Sequence, residues 1–221
     1  MRPIEILKND NRVIERVLTC LERIAGEGVE KGQLPVDAAA DALTFFREFV
    51  DGSHRRKVVN QLFPLLEARG LPYQSWPTGT LRHEYKDGRT LINFMSNVLD
   101  WAGARDVKPV QEFAGVARVY IQMSRAHIEK EDHYLSYLAD SLLSATDEEY
   151  LEIEFETVEP ELSEPNAKAH YLAIATNLAR QFKVPEPVHI EPLPREICCI
   201  GCPTTDFKNT TRVEGGQTAF V

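Results

Sequence analysis

Residues 113–138, FAGVARVYIQMSRAHIEKEDHYLSYL, carry the pattern on which the fold turns. Phe113, Val116, Tyr120, Met123, His127, Glu131, Tyr134 and Leu138 recur at steps of three and four, the spacing that keeps side chains on one face of a helix. That face is apolar except where His127 and Glu131 point the same way, one turn apart. Three other stretches repeat the rhythm: Ile4, Leu7, Asn11, Ile14, Leu18 and Leu21; Leu43, Phe46, Val50, His54, Val58, Leu62 and Leu65; Leu81, Tyr85, Gly88, Ile92, Met95 and Leu99. Each seam is broken by one polar residue, Asn11, His54 or Tyr85. A polar group on a buried seam costs free energy unless it finds a partner, so the interruptions predict side chains that meet inside a bundle.

The helix signals divide the chain. The first helix is expected from Pro3 to about Gly26, and the second from Pro35 and Asp37 to the Arg69-Gly70 stop, with a kink at Pro64. A third is expected from Thr78 to near Gly103, and a fourth from Lys108-Pro109 to about Ser144. Short connections favour antiparallel neighbours, so residues 1–146 read as an all-α, up-down-up-down four-helix bundle. Residues 147–221 read as an acidic linker, an extra helix at Ala167–Phe182 on the outside of the bundle, and a proline-rich extended strap that carries cysteines and ends in a loose tail.

Charge and hydropathy exclude some functions. A formal charge of -9 and a pI near 5.2 argue against a general nucleic-acid binder, which needs a basic face to displace counterions. Between Asp147 and Pro165 stand nine acidic residues and no Lys or Arg, which read as a solvated helix end and linker, or as a docking surface for a basic partner. No apolar run is long enough for a bilayer, and MRPIEILKND lacks the core of a signal peptide, so a cytoplasmic protein without membrane partners is expected.

Short motifs point to a family. His54-Arg55-Arg56-Lys57-Val58-Val59 followed by Leu62-Phe63-Pro64 resembles the HHxKEExxLFP segment of hemerythrin-like, HHE cation-binding domains. Residues 81–89, LRHEYKDGR, resemble that family's LxxEHxxGR, residues 127–132, HIEKED, its HIxKED, and residues 7–12, LKNDNR, its opening LxxDHR. The resemblance covers residues 1 to about 145, in the same order and spacing. It implies two irons held between four helices by histidines and HxxxE pairs. Carried over by position, the helix-one histidine is Asn11, the helix-two glutamate is Val58 and the helix-three histidine is Tyr85, which leaves His54, His127 and Glu131.

Asn11 and Val58 would fall in one half-site with His54, and Tyr85, His127 and Glu131 in the other. The expectation is therefore one iron, or another divalent ion, held by Tyr85, His127 and Glu131 with His54 within reach; phenolate is a competent ligand for ferric iron. Glu84 and His83 are neighbouring candidates. The alternative is a hydrogen-bonded polar network, with Tyr85 bonded to His127 or Glu131 and Asn11 to His54. His133, His170, Glu129 and Lys130 read as surface.

Cys198, Cys199 and Cys202, followed by Pro203, form the second chemical feature. Cys199 and Cys202 make a CxxC pair suited to zinc, an iron-sulfur cluster or dithiol cycling, His189 would complete a Cys3His zinc site, and Cys-Pro resembles a short haem motif. Cys20 reads as a buried structural thiol. Together these features predict a protein of redox or small-molecule sensing, or of electron transfer, whose partners are a small molecule or a redox protein. The rival readings are a metal-free regulatory bundle and an oxidoreductase using the bundle pocket.

Overall fold

The computed structural model describes residues 1–101, 107–158 and 167–185, which fold into six helices with no strand among them. Helix α1 is Pro3–Lys31. Helix α2 runs through 36–68: Val36–Phe45 is α-helical, Phe46–His54 and Arg56–Leu62 are π-helical, and Phe63–Ala68 is α-helical again. Helix α3 is Thr78–Trp101, and α4 spans 107–142, with a π-helical turn at Glu131–Leu135. Helices α5, Ala145–Val158, and α6, Ala167–Gln181, follow. None is long and apolar enough to cross a membrane.

Side-chain pairs set the directions. Asn11 meets Asp132 while Glu15 meets Arg125, so α1 and α4 are antiparallel. Arg89 reaches Asp51 while Arg82 reaches Glu67, which makes α2 and α3 antiparallel as well.

Two apolar clusters stabilise the bundle. One gathers Ile14, Leu18, Phe46, Phe49, Ile92, Phe113 and Tyr120. The other gathers Ile4, Leu7, Val58, Leu62, Phe63, Leu81 and Leu135. Along α1, α2 and α4 the residues between them are polar and buried: Asp10 and Asn11, Ser53, His54 and Lys57, and His127 and Glu131. The polar seam positions thus form one layer between two hydrophobic cores.

Several boundaries depart from the sequence reading. Helix α1 continues past Gly26 to Lys31, and Gly28 within it is packed so closely that a Cβ there would lie 2.6 Å from Leu34 Cδ2. Gly32, with φ +66°, supplies the left-handed cap instead. Pro64 sits where π-helix returns to α-helix, a place that tolerates its missing N–H. The turn at Glu131–Leu135 moves the seam by one residue: Leu135 and Ala139 are buried, whereas Tyr134 is 37% exposed and packs edge-on against Trp76. The i→i+5 bonding of a π turn has this effect on register.

The acidic stretch also differs, because its first part is α5. Leu151, Phe155 and Val158 recur at four and three residues and are buried, the first two in the second core, while the acidic side chains cover the other face. Ser144 caps it: Ser144 N–H donates to Asp147 Oδ2 at 2.9 Å, Asp147 N–H donates to Ser144 Oγ at 3.2 Å, and Arg69, the residue that follows α2, holds the same carboxylate. The Ser-x-x-acid spacing is the sequence signal for this capping box. Ser144→Ala is expected to cost about 1 kcal/mol in urea unfolding; an unchanged midpoint would show that α5 is held by its apolar face alone. Helix α6 buries Ala175, Leu178 and Ala179 in the first core, deeper than a helix laid on the outside.

Candidate metal centre

The polar layer converges on Glu131. Its Oε1 accepts from the Tyr85 hydroxyl at 2.7 Å and stands 3.1 Å from His127 Nε2. Its Oε2 accepts from Asn11 Nδ2 at 3.3 Å and stands 3.0 Å from His54 Nε2. A carboxylate offers about four lone-pair positions, and these four partners fill them. Helix α4 supplies Glu131 and His127 one turn apart, α3 supplies Tyr85, the π-helical stretch of α2 ends on His54, and α1 supplies Asn11. π-Helical turns are frequent at functional sites, and here two of them carry site residues.

Each imidazole has a second carboxylate behind it. His127 Nδ1 is 2.9 Å from Glu84 Oε2, and Glu84 Oε1 accepts from Lys130 Nζ at 2.6 Å. On the other side His54 Nδ1 is 3.5 Å from Asp10 Oδ2, a charge contact, and Asp10 Oδ2 accepts from Lys57 Nζ at 2.9 Å. Lys57 is fully buried and His54 nearly so.

The charges follow from this alternation. Burial alone would push the His54 pKa down, but Glu131 and Asp10 outweigh it and raise it to about 9. His127 is raised against its burial by Glu131 and then Glu84. Burial opposes ionisation of Glu131, yet His127 and His54 hold its carboxyl well below the ordinary range. Asp10 is lowered by His54 and Lys57 in spite of its burial. Burial and the adjacent Glu131 charge push the Tyr85 hydroxyl well above its ordinary value, so it keeps its proton and donates. Both shifts favour the protonated imidazole between its carboxylates.

A cavity of about 40 Å³ opens beside this cluster, walled by Ile14, Phe46, Val50, Ile92, Tyr120 and Met123, with His54, Tyr85, His127 and Glu131 at its polar end. It admits a ligand of a few atoms, since one water needs roughly 10–15 Å³ by this measure.

The four expected ligands thus come together. Asn11 joins them, but through Glu131 and Asp132 rather than His54. Val58 is buried in the second apolar cluster and offers no donor. Glu84 lies behind His127, and His83, His133 and His170 are exposed. Lys130, read as surface, is tied to Glu84. Cys20 is a buried thiol pushed up to about 11 by burial. Cys198, Cys199, Cys202 and His189 lie outside the described residues.

The sequence pattern assigns no role to Asp10 or Lys57, which the structure places behind His54. The signal for both was present: Asp10 precedes Asn11 and Lys57 precedes Val58, one residue off the seam on two facing helices. Among the described residues, no three His, Cys, Asp or Glu side chains form a cage ready for a metal ion.

Comparison with known proteins finds one family. The model of the hemerythrin HHE cation binding domain matches residues 2–139. No curated protein and no solved structure matches.

Proposed function

The chain belongs to the hemerythrin HHE cation-binding domain family, and from that premise we propose that its polar layer binds a single cation, iron in the first instance, and serves redox or small-molecule sensing. The donor set fits one ion and not two, because Val58 is packed in hydrocarbon and Asn11 is a weak ligand where the family has imidazole.

One observation carries the reading. His54 and His127 both place Nε2 against Glu131; behind them His127 Nδ1 is hydrogen-bonded to Glu84, the arrangement by which an outer carboxylate orients a metal-binding imidazole, and His54 Nδ1 lies in a longer charge contact with Asp10. Tyr85 adds a phenol at the same carboxylate, and the buried Asn11 Oδ1 has no hydrogen-bond partner, so it remains a spare oxygen at the cavity wall.

Bound iron supplies a redox couple and a Lewis-acid position for a small ligand. The chain's own contribution is orientation and exclusion. Asp10 and Glu84 fix the rings, Glu131 holds the protons of both Nε2 atoms and of Tyr85 until they are displaced, and the apolar wall limits the pocket to small ligands. That size speaks against an oxidoreductase acting on an organic substrate, since such sites measure roughly 300 Å³ or more. The cysteines near the C-terminus would serve as a separate thiol element, facing a redox partner protein or holding zinc, an iron-sulfur cluster or haem, in a cytoplasmic setting.

Elemental analysis of the full chain, purified without added metal, tests the reading. About one iron per chain is expected, lost in His127→Ala and retained when Cys198, Cys199 and Cys202 are changed to serine. The ferric form is expected to show a phenolate charge-transfer band that Tyr85→Phe abolishes. Metal lost with the cysteines would move the site to them. No metal in any form would favour a second reading, a metal-free regulatory bundle, which has its own support: the Glu131 carboxylate already has four hydrogen-bonding partners.

A further inference from the structure

Lys57 and Asp10 belong to neither the seam nor the donor set, yet they are among the most deeply buried charges in the bundle. A lysine in a protein interior is costly unless a paired and well-placed anion offsets it. Asp10 is that anion, and the same Oδ2 atom faces both Lys57 Nζ at 2.9 Å and His54 Nδ1 at 3.5 Å. Were the pair wanted only for stability, apolar residues of similar volume would serve as well or better.

We propose that Asp10 and Lys57 are a positioning pair for His54. Lys57 anchors the Asp10 carboxylate, and the carboxylate holds the imidazole ring so that Nε2 faces Glu131 and the cavity. The arm parallels the Glu84–Lys130 arm behind His127, but its contact with the ring is a charge contact at 3.5 Å through the oxygen that Lys57 also holds, where Glu84 makes a hydrogen bond at 2.9 Å. The two differ in access, because Glu84 and Lys130 are partly exposed whereas Asp10 and Lys57 are sealed. The inference rests on the cation reading above only for its affinity measurement; the orientation of the ring can be read without any cation.

The test uses the full-length protein and two readouts. Zn²⁺ affinity, measured by competition with a chromogenic chelator, is expected to fall about 10–100-fold in Asp10→Asn, the range found when outer partners of ligand histidines are removed. The same loss is expected in Asp10→Asn/Lys57→Met, which removes both charges of the pair and so protects the comparison against a variant that fails to fold. The loss should vanish in a His54→Ala background, where a general structural role would still weaken binding.

The second readout is NMR of the His54 ring N–H protons in chelator-treated protein, assigned by their absence in His54→Ala. The Nε2–H signal is expected to shift and lose exchange protection when the pair is removed. Affinity within twofold of the parent together with unchanged ring signals would overturn the proposal. If the parent takes up no Zn²⁺, the single-cation reading fails, and the ring signals alone decide the role of Asp10 and Lys57.

Discussion

Glu131→Ala is expected to lower the stability of the cation-free protein by about 3–5 kcal/mol, the range for removing one partner of a buried ion pair. The substitution removes the acceptor for four donors at once. His54 and His127, both cationic, are left facing each other across the gap, and the Tyr85 hydroxyl and Asn11 amide lose their acceptor. Urea unfolding of chelator-treated protein measures the effect. A loss under about 1 kcal/mol would show that the imidazoles shed their protons on folding rather than pair with Glu131.

The second large effect is a two-sided dependence of stability on pH. His54 rises from its ordinary 6.5 to about 9 on folding, and His127 is raised too. Raised groups contribute stability that is complete below 6.5 and is lost as pH climbs through the folded value, so the cation-free protein weakens between about pH 6.5 and 9. For His54 alone the shift corresponds to about 3 kcal/mol. On the acid side the carboxyl groups of Glu131, Asp10 and Glu84 are depressed from ordinary values of 4.5, 3.8 and 4.5. Their contribution is complete above those values and is lost as pH falls through the lowered ones. The same ion pairs act on both limbs, so the two losses are not independent. Urea midpoints across pH 3–10 should peak at about pH 4.5–6.5. A midpoint that is flat from pH 6 to 10 would contradict charged imidazoles in the folded core.

Much of this architecture can be read from spacing. The inward faces of α1 and α3 follow the three-and-four pattern throughout, from Ile4 to Leu21 and from Leu81 to Leu99, because both helices are regular. In α2 the seam steps by four from Phe46 through Val50, His54 and Val58 to Leu62, and the structure answers with π-helical turns. Periodicity locates such a seam but does not say that the backbone will widen to follow it. In α4 the same ambiguity misled: an α-helical count puts Tyr134 inside, and the π turn after Glu131 puts Leu135 there.

The candidate ligands were legible because each breaks an apolar face. Asp10 and Lys57 were not, because a charge beside a seam looks like the start of the solvated side until its partner on another helix is known. Helix α5 was hidden for a related reason, since acidic residues outnumber the few apolar ones that anchor it.

The closed polar layer between the two cores has a consequence for how the protein matures. A zinc finger cannot fold until it captures its ion, so its supply of folded chains follows the supply of metal. Here His54, His127 and Tyr85 already surround the Glu131 carboxylate with hydrogen bonds, so folding does not wait for an ion. On the single-cation reading proposed above, loading would be an exchange between a finished protein and the surrounding ion pool, and metal starvation would leave intact, unloaded molecules.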